Sequence, residues 1–218
     1  AVRDAQAVEL LLKNKYKFDN FKTLYDEQAT RENVINAMVW LVENVTENDN
    51  VFVYYSGHGE FNKALNKGYW VPADAQTTSI SAYISNSDLQ TFLSGIKAKH
   101  TLLVSDACFS GDIFRGNTVA VKMDSPEKYY AETYNLKSRQ AMTSGGIEPV
   151  MDGGKDGHSV FAYYFLQALR NNEGAYLDAS QVFEKLKIPV ANNSDQKPNL
   201  QPVKNAGDEG GQFIFIRK

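Results

Sequence analysis

Residues 51–60 read VFVYYSGHGE: an unbroken apolar run, then a turn in which two glycines flank a histidine. Apolar residues at every position, not every second one, mark a strand covered on both faces. The same plan returns at 100–111, HTLLVSDACFSG, where a second apolar run ends in a turn carrying the only cysteine of the chain. His58 stands three residues beyond Tyr55 at the end of the first run, and Cys108 stands three residues beyond Ser105 at the end of the second. In open α/β sheets, reactive groups collect at the carboxyl ends of parallel strands, where the loops converge. If these two strands are neighbours, imidazole and sulfur reach the same rim.

Working outward, the chain opens on AVRDAQAVELLLK, a helix with Val2, Ala5, Val8, Leu11 and Leu12 on one face. A chain that starts inside an element reads as one with something upstream. FKTLYD alternates like a strand. Thr30 is placed to cap a helix whose buried face is Val34, Ile35, Met38, Val39, Val42 and Val45. After VFVYY come a short strand in GYWVPADA, ended by Pro72, and an amphipathic helix in NSDLQTFLSGI. HTLLVSDA and RQAMTSGG are further strands, and a helix starts at Ser159 with Phe161, Phe165, Leu166 and Leu169 inward. Asp178, with Gln181 three residues on, forms a capping box for QVFEKL, and GQFIFIRK closes the chain as a strand. From Asp112 to about Ser138 the periodicity fades over a span longer than the roughly 12 to 15 residues of an ordinary connection, which marks a functional or mobile loop. Strands alternating with helices give a three-layer α/β/α sandwich around a mostly parallel sheet.

The 218 residues form one domain, 43% apolar and 22% charged, without repeats or low-complexity tracts. A formal charge of −3 and the lack of a basic stripe argue against a nucleic-acid surface. No apolar run approaches the roughly 20 residues that span a bilayer. A single cysteine excludes an internal disulfide and fits a reducing, cytoplasmic compartment.

Paired, His58 and Cys108 are a nucleophile and its partner. A free thiol is mostly protonated at neutral pH, and a nearby imidazolium lowers its pKa and supplies thiolate. The same imidazole can then protonate a leaving amine. The backbone N–H groups of Gly59 and Cys108 can form an oxyanion hole. Each residue also has a plainer reading: a lone cysteine is often inert core filler, and a histidine after a strand is often a hydrogen-bonded loop residue. His100 and His158 show no evident partner, and three scattered histidines with one cysteine do not make a zinc site. The pattern of a serine-hydrolase elbow, G-x-S-x-G, is not met.

The two motifs, YYSGHGE and SDACFSG, with GYWVPADA, SRQAMTSGG, GHSVF and GGQFIFI, resemble the caspase-like cysteine peptidases, most of all their bacterial members and the metacaspases. The resemblance covers essentially the whole chain. The 50-residue separation of histidine and cysteine also matches that arrangement. It implies the caspase-hemoglobinase fold, with a six-stranded, mostly parallel sheet. A large-subunit-like part would span 1–111, a linker 112–138 and a small-subunit-like part 139–218. It further implies amide hydrolysis through a thioester on Cys108, with no required cofactor. Some relatives need calcium, for which no binding loop is visible here.

Two departures stand out. The first strand of such proteins precedes the helix matched by AVRDAQAVELL and is missing, so it is either trimmed or carried by another segment. Where animal caspases have a glutamine two residues before the nucleophile, this chain has Asp106, and Lys155 is the sole cation from Gln140 to Leu169. A carboxylate there attracts a cationic side chain and repels an anionic one, which implies protein or peptide substrates with Arg or Lys at P1. Ser144 lies in the matching Ser-Gly turn, and Glu148 matches an acidic position after it, a second substrate-binding carboxylate. Asp106 also has a plainer reading as a turn-capping group. The linker region carries Arg115, Lys122, Lys128, Lys137 and Arg139, which makes self-cleavage after one of them an expectation. The competing expectations are a catalytically silent regulatory or scaffolding module and a peptidase with another P1 choice. No membrane or nucleic-acid partner is expected.

Overall fold

A computed structural model describes residues 1–76, 79–107, 113–114, 126–145 and 154–218. In chain order its elements are α1 (Val2–Lys15), α2 (Arg31–Asn44), β1 (Asn50–Ser56), β2 (Gly59–Asn62), β3 (Lys67–Trp70), β4 (Ile84–Ser85), α3 (Asn86–Gly95), β5 (His100–Asp106), α4 (Pro126–Asn135), β6 (Ser138–Thr143), α5 (Val160–Arg170), β7 (Tyr176–Asp178), α6 (Ala179–Asn193), β8 (Asn199–Pro202) and β9 (Ile214–Ile216). The central sheet has the order β1-β5-β6-β8. Its first three strands are parallel, and β8 runs antiparallel to β6.

Both faces of this sheet are covered, which is why its strands read as continuous apolar runs. On one side Phe52, Tyr54, Leu102 and Val104 pack with Val8 and Leu12 of α1, Phe161 and Phe165 of α5 and Val182 and Leu186 of α6. On the other, Val51, Val53, Tyr55 and Leu103 pack with Met38 of α2 and Leu89 and Leu93 of α3. Leu102, Leu103 and Val104 lose all contact with water. Each such side chain contributes roughly 1.5 to 3 kcal/mol of burial.

The caps read from the sequence form. Thr30 accepts from Asn33 N–H at 3.1 Å. Asp178 and Gln181 complete their box, with Gln181 N–H to the Asp178 carboxylate at 2.8 Å and Asp178 N–H to the Gln181 side-chain Oε1 at 3.0 Å. Ser159 accepts from Ala162 N–H at 2.9 Å and opens α5.

Four expectations are corrected. FKTLYD is not a strand: no neighbouring strand takes up its backbone among the described residues, and its side chains bind α1 instead. Phe21 lies under the Lys13 ammonium, and the Tyr25 hydroxyl bonds Glu9. Secondly, the mostly parallel central sheet has four strands among the described residues, where a six-stranded sheet without its first strand would leave five. The closing strand β9 pairs with β7, and Ile216 also accepts from Lys17 N–H, so it lies outside the central ladder. Thirdly, the span from Asp112 to Ser138 contains the ten-residue helix α4. Finally, Val39 is on the outer face of α2 while Val34, Ile35, Met38, Val42 and Val45 pack inward.

Candidate active site

The register of β1 on β5 sets the geometry. Tyr55 lies opposite Ser105 and Ser56 opposite Asp106, so the two strands end level with each other. The turn bearing His58 leaves one strand, and the segment running into Cys108 leaves its direct neighbour at the same height. Gly57 N–H donates across the gap to the Asp106 carbonyl at 3.3 Å, tying the histidine turn to the end of β5. Cys108 itself lies outside the described residues, as does Glu148. His58 is exposed at the rim.

The backbone of His58 is held from two sides. Its carbonyl accepts from the Tyr55 hydroxyl at 2.8 Å and from Val71 N–H at 3.0 Å. Tyr55 reaches this position by folding over its own turn, its ring stacked on Trp70 at 4.0 Å and 9°. Trp70 in turn donates its indole N–H to the Ser105 hydroxyl at 3.1 Å. A Cβ on Gly57 would stand 2.7 Å from the Tyr55 hydroxyl oxygen, so the glycine is needed for that ring to lie there. Gly59 pairs with Trp70 in the β2–β3 ladder. Because His58 O takes the Val71 N–H, Gly59 sits at the step whose N–H points away from the partner strand.

Asp106 is 1% exposed. One carboxylate oxygen accepts from the Ser159 hydroxyl, while the other, Oδ1, has no hydrogen-bond partner. Burial pushes its pKa up to about 6, opposed by the Ser159 hydroxyl, with the charge of Asp4 raising it further and the Ser144 hydroxyl lowering it again. Ser144 lies beside it, fully buried, with its N–H on the Ser105 carbonyl at 3.0 Å and its hydroxyl on the Ala107 carbonyl at 3.3 Å. The structure therefore gathers His58, Gly59, Asp106 and Ser144 around the ends of β1, β5 and β6.

Sequence reading left the other two histidines without partners, and both have them. His100 Nδ1 is 2.9 Å from the Ser138 hydroxyl and Nε2 is 3.0 Å from the Tyr134 carbonyl. Burial lowers its pKa to about 4. His158 Nδ1 is 2.6 Å from the carboxylate of Asp4, a buried acid in the first turn of α1. Tyr55, Trp70, Ser159 and Asp4 were the site-supporting residues that sequence reading missed. The one local signal was Gly57, whose missing side chain makes room for Tyr55. Among the described residues, no three His, Cys, Asp or Glu side chains group as a metal site, and no helix is long and apolar enough to cross a membrane.

A mostly parallel sheet between helices, with the histidine turn leaving β1 level with the end of β5, defines a class, and the comparisons identify it. The model of the caspase domain matches residues 1–207, and the chain belongs to this family of cysteine-type peptidases, which generally need no cofactor. Among its relatives, Metacaspase-1 of Arabidopsis thaliana is 27% identical over 172 residues, covering 71% of this chain and 46% of that protein. Metacaspase-1 of Saccharomyces cerevisiae is 26% identical over 227 residues, covering 95% and 46%. The chain thus spans about half the length of the curated relatives it matches. A crystal structure of a Geobacter sulfurreducens protein shares the fold, with a TM-score of 0.59 at 16% identity over 96% of this chain and 88% of that one.

Proposed function

We propose that the chain is a cysteine endopeptidase that hydrolyses peptide bonds after Arg or Lys, with Cys108 as nucleophile and His58 as its acid–base partner. The observation that supports this reading is the level register of β1 and β5, whose last residues, Ser56 and Asp106, stand opposite each other two residues before His58 and Cys108 in the sequence. The Cys108 thiolate attacks the scissile carbonyl carbon, forming a C–S bond and a tetrahedral oxyanion. The N–H groups of Gly59 and Cys108 hold that oxyanion; one such donor typically contributes about 3 kcal/mol to the transition state. His58 passes a proton to the leaving amine, and the C–N bond breaks to leave a thioester. Water, activated by His58, then releases the acid and restores the thiol.

The basic P1 preference rests on Asp106. A buried carboxylate with one oxygen unpartnered is costly unless a cation arrives to match it. Arg or Lys of a protein substrate supplies that cation, with Ser144 beside it and Glu148 as a second carboxylate. Self-processing follows from the same preference, after Arg115, Lys122, Lys128 or Lys137. Arg139, an expected site at the end of this series, is withdrawn: it is 4% exposed inside β6 and its guanidinium is bound to backbone carbonyls. The single thiol fits a reducing compartment such as the cytoplasm.

The test uses fluorogenic peptides ending in Arg, Lys, Asp or Asn, with and without calcium, and Cys108→Ala as control. Cleavage after Arg and Lys that disappears in Cys108→Ala is expected. Equal turnover of the Asp peptide would remove the P1 assignment, and no turnover of any peptide would favour the silent scaffold.

A further inference from the structure

We propose that Ser159 is the positioning residue for P1 specificity: its hydroxyl fixes one oxygen of Asp106 and leaves the other to receive the substrate cation. The inference rests on the reading of Asp106 as the P1 carboxylate and adds the group that holds it ready. Ser159 has a single hydroxyl proton. Its lone pair already accepts from Ala162 N–H at 2.9 Å as the N-cap of α5, so the proton is free to go to Asp106 Oδ2. The direction of the bond is therefore set by the helix, and the positive end of α5 reaches the carboxylate through this one hydroxyl.

The serine is itself braced. A Cβ on Gly154 would stand 2.5 Å from the His158 carbonyl and 2.7 Å from Val160 N, so the chain before α5 packs directly on its own backbone. Gly157 adopts φ +75° against the Arg3 guanidinium, and His158 bonds Asp4 at 2.6 Å. The start of α1 thus holds the turn that presents Ser159. The groups facing Asp106 are Asp4 and the amino group of Ala1 from α1, Tyr54 from β1, Ser144 after β6 and, through Asp4, His158. Ser159 is the hydroxyl that bonds Oδ2 directly, and the Ser144 hydroxyl, which also donates to the Ala107 carbonyl, is a second and weaker influence that lowers the carboxyl's pKa. Loss of the Ser159 hydroxyl removes the bond to Oδ2 and leaves only the weaker influence of Ser144 in a dry site, where the carboxylate takes up a proton more readily and binds a cation less well.

The experiment compares paired peptides identical except for Arg or citrulline at P1, the latter a neutral isostere of arginine. Wild type, Ser159→Ala, Ser159→Gly and Ser159→Thr are assayed from pH 5 to 8. Glycine is an acceptable N-cap, so Ser159→Gly keeps the test alive if the alanine variant does not fold. In the variants lacking the hydroxyl, the Arg-over-citrulline preference is expected to fall about tenfold, mostly through KM. The acid limb of kcat/KM for the Arg peptide is expected to move up by about one pH unit, and Ser159→Thr to restore both. A structural defect alone would lower both peptides together. Wild-type preference for Arg that survives unchanged in both hydroxyl-free variants overturns the proposal and spares the P1 assignment. No Arg preference in wild type overturns that assignment, and the role of Ser159 with it.

Discussion

Burial raises the energy of the Asp106 carboxylate, and the Ser159 hydroxyl offsets only part of that cost. Its pKa of about 6 lies above the ordinary value of 3.8, so between those two pH values the folded chain binds a proton that the unfolded chain does not. Ionised Asp106 therefore subtracts stability as pH rises through this window, by up to about 3 kcal/mol at pH 7. Asp106→Asn is expected to raise the melting temperature at pH 7, with the gain vanishing near pH 4, while cleavage after Arg is lost. Calorimetry across that range checks it, and a lower melting temperature at pH 7 would contradict it. In the wild type, cleavage after Arg is expected to fall about tenfold per pH unit below about pH 6, as the free-enzyme carboxylate protonates. Tyr55 acts on the turn that carries His58, the proposed acid–base residue. Removing its hydroxyl in Tyr55→Phe leaves the His58 carbonyl held only by Val71 N–H, with an expected tenfold loss in kcat at unchanged KM. Steady-state kinetics that match wild type would show that the turn does not need this anchor. Asp106 and His58 were legible because their places follow from strand ends. Tyr55 and Ser159 were not, because a hydroxyl's partner is fixed by packing between distant segments.

Among the elements, the strands and capped helices of the core were legible because both layers bury apolar side chains at regular spacing. The helix α4 was not. Its one buried residue is Thr133, and it docks through tyrosines: Tyr130 donates to Gln181 at 2.7 Å, and the Tyr134 ring lies 4.7 Å from His100 and under the Lys99 ammonium. Hydroxyls and ring faces give no apolar stripe to read. FKTLYD failed for the opposite reason, since alternation marks a strand only where another strand is there to pair with it. Arg139 shows how a polar side chain closes the end of an element. Its guanidinium donates to the carbonyls of Ile96 at 2.9 Å, Ala98 at 2.5 Å, Lys99 at 3.2 Å and Ser138 at 2.8 Å, where α3 gives way to β5. Arg139→Met leaves those buried carbonyls bare and is expected to cost about 3 kcal/mol in chemical denaturation. A variant as stable as wild type would assign these contacts no weight.

At the scale of the whole molecule, the sheet serves as a level that ends β1 and β5 at one height. The family assignment covers residues 1–207, so the motifs sit within a family domain and are not a local coincidence. Intact-mass measurement of wild type and Cys108→Ala checks self-processing. Fragments ending at Arg115, Lys122, Lys128 or Lys137 are expected in wild type alone, and none ending at Arg139. The most direct measurement is covalent labelling by a peptidyl acyloxymethyl ketone with Arg at P1, located by mass spectrometry. One adduct is expected, on Cys108, formed on the order of a hundredfold more slowly in His58→Ala and hardly at all by the Asp analogue. Labelling that proceeds at the same rate without His58, or equally with Asp at P1, would contradict the pairing of the two turns around a cation-seeking carboxylate.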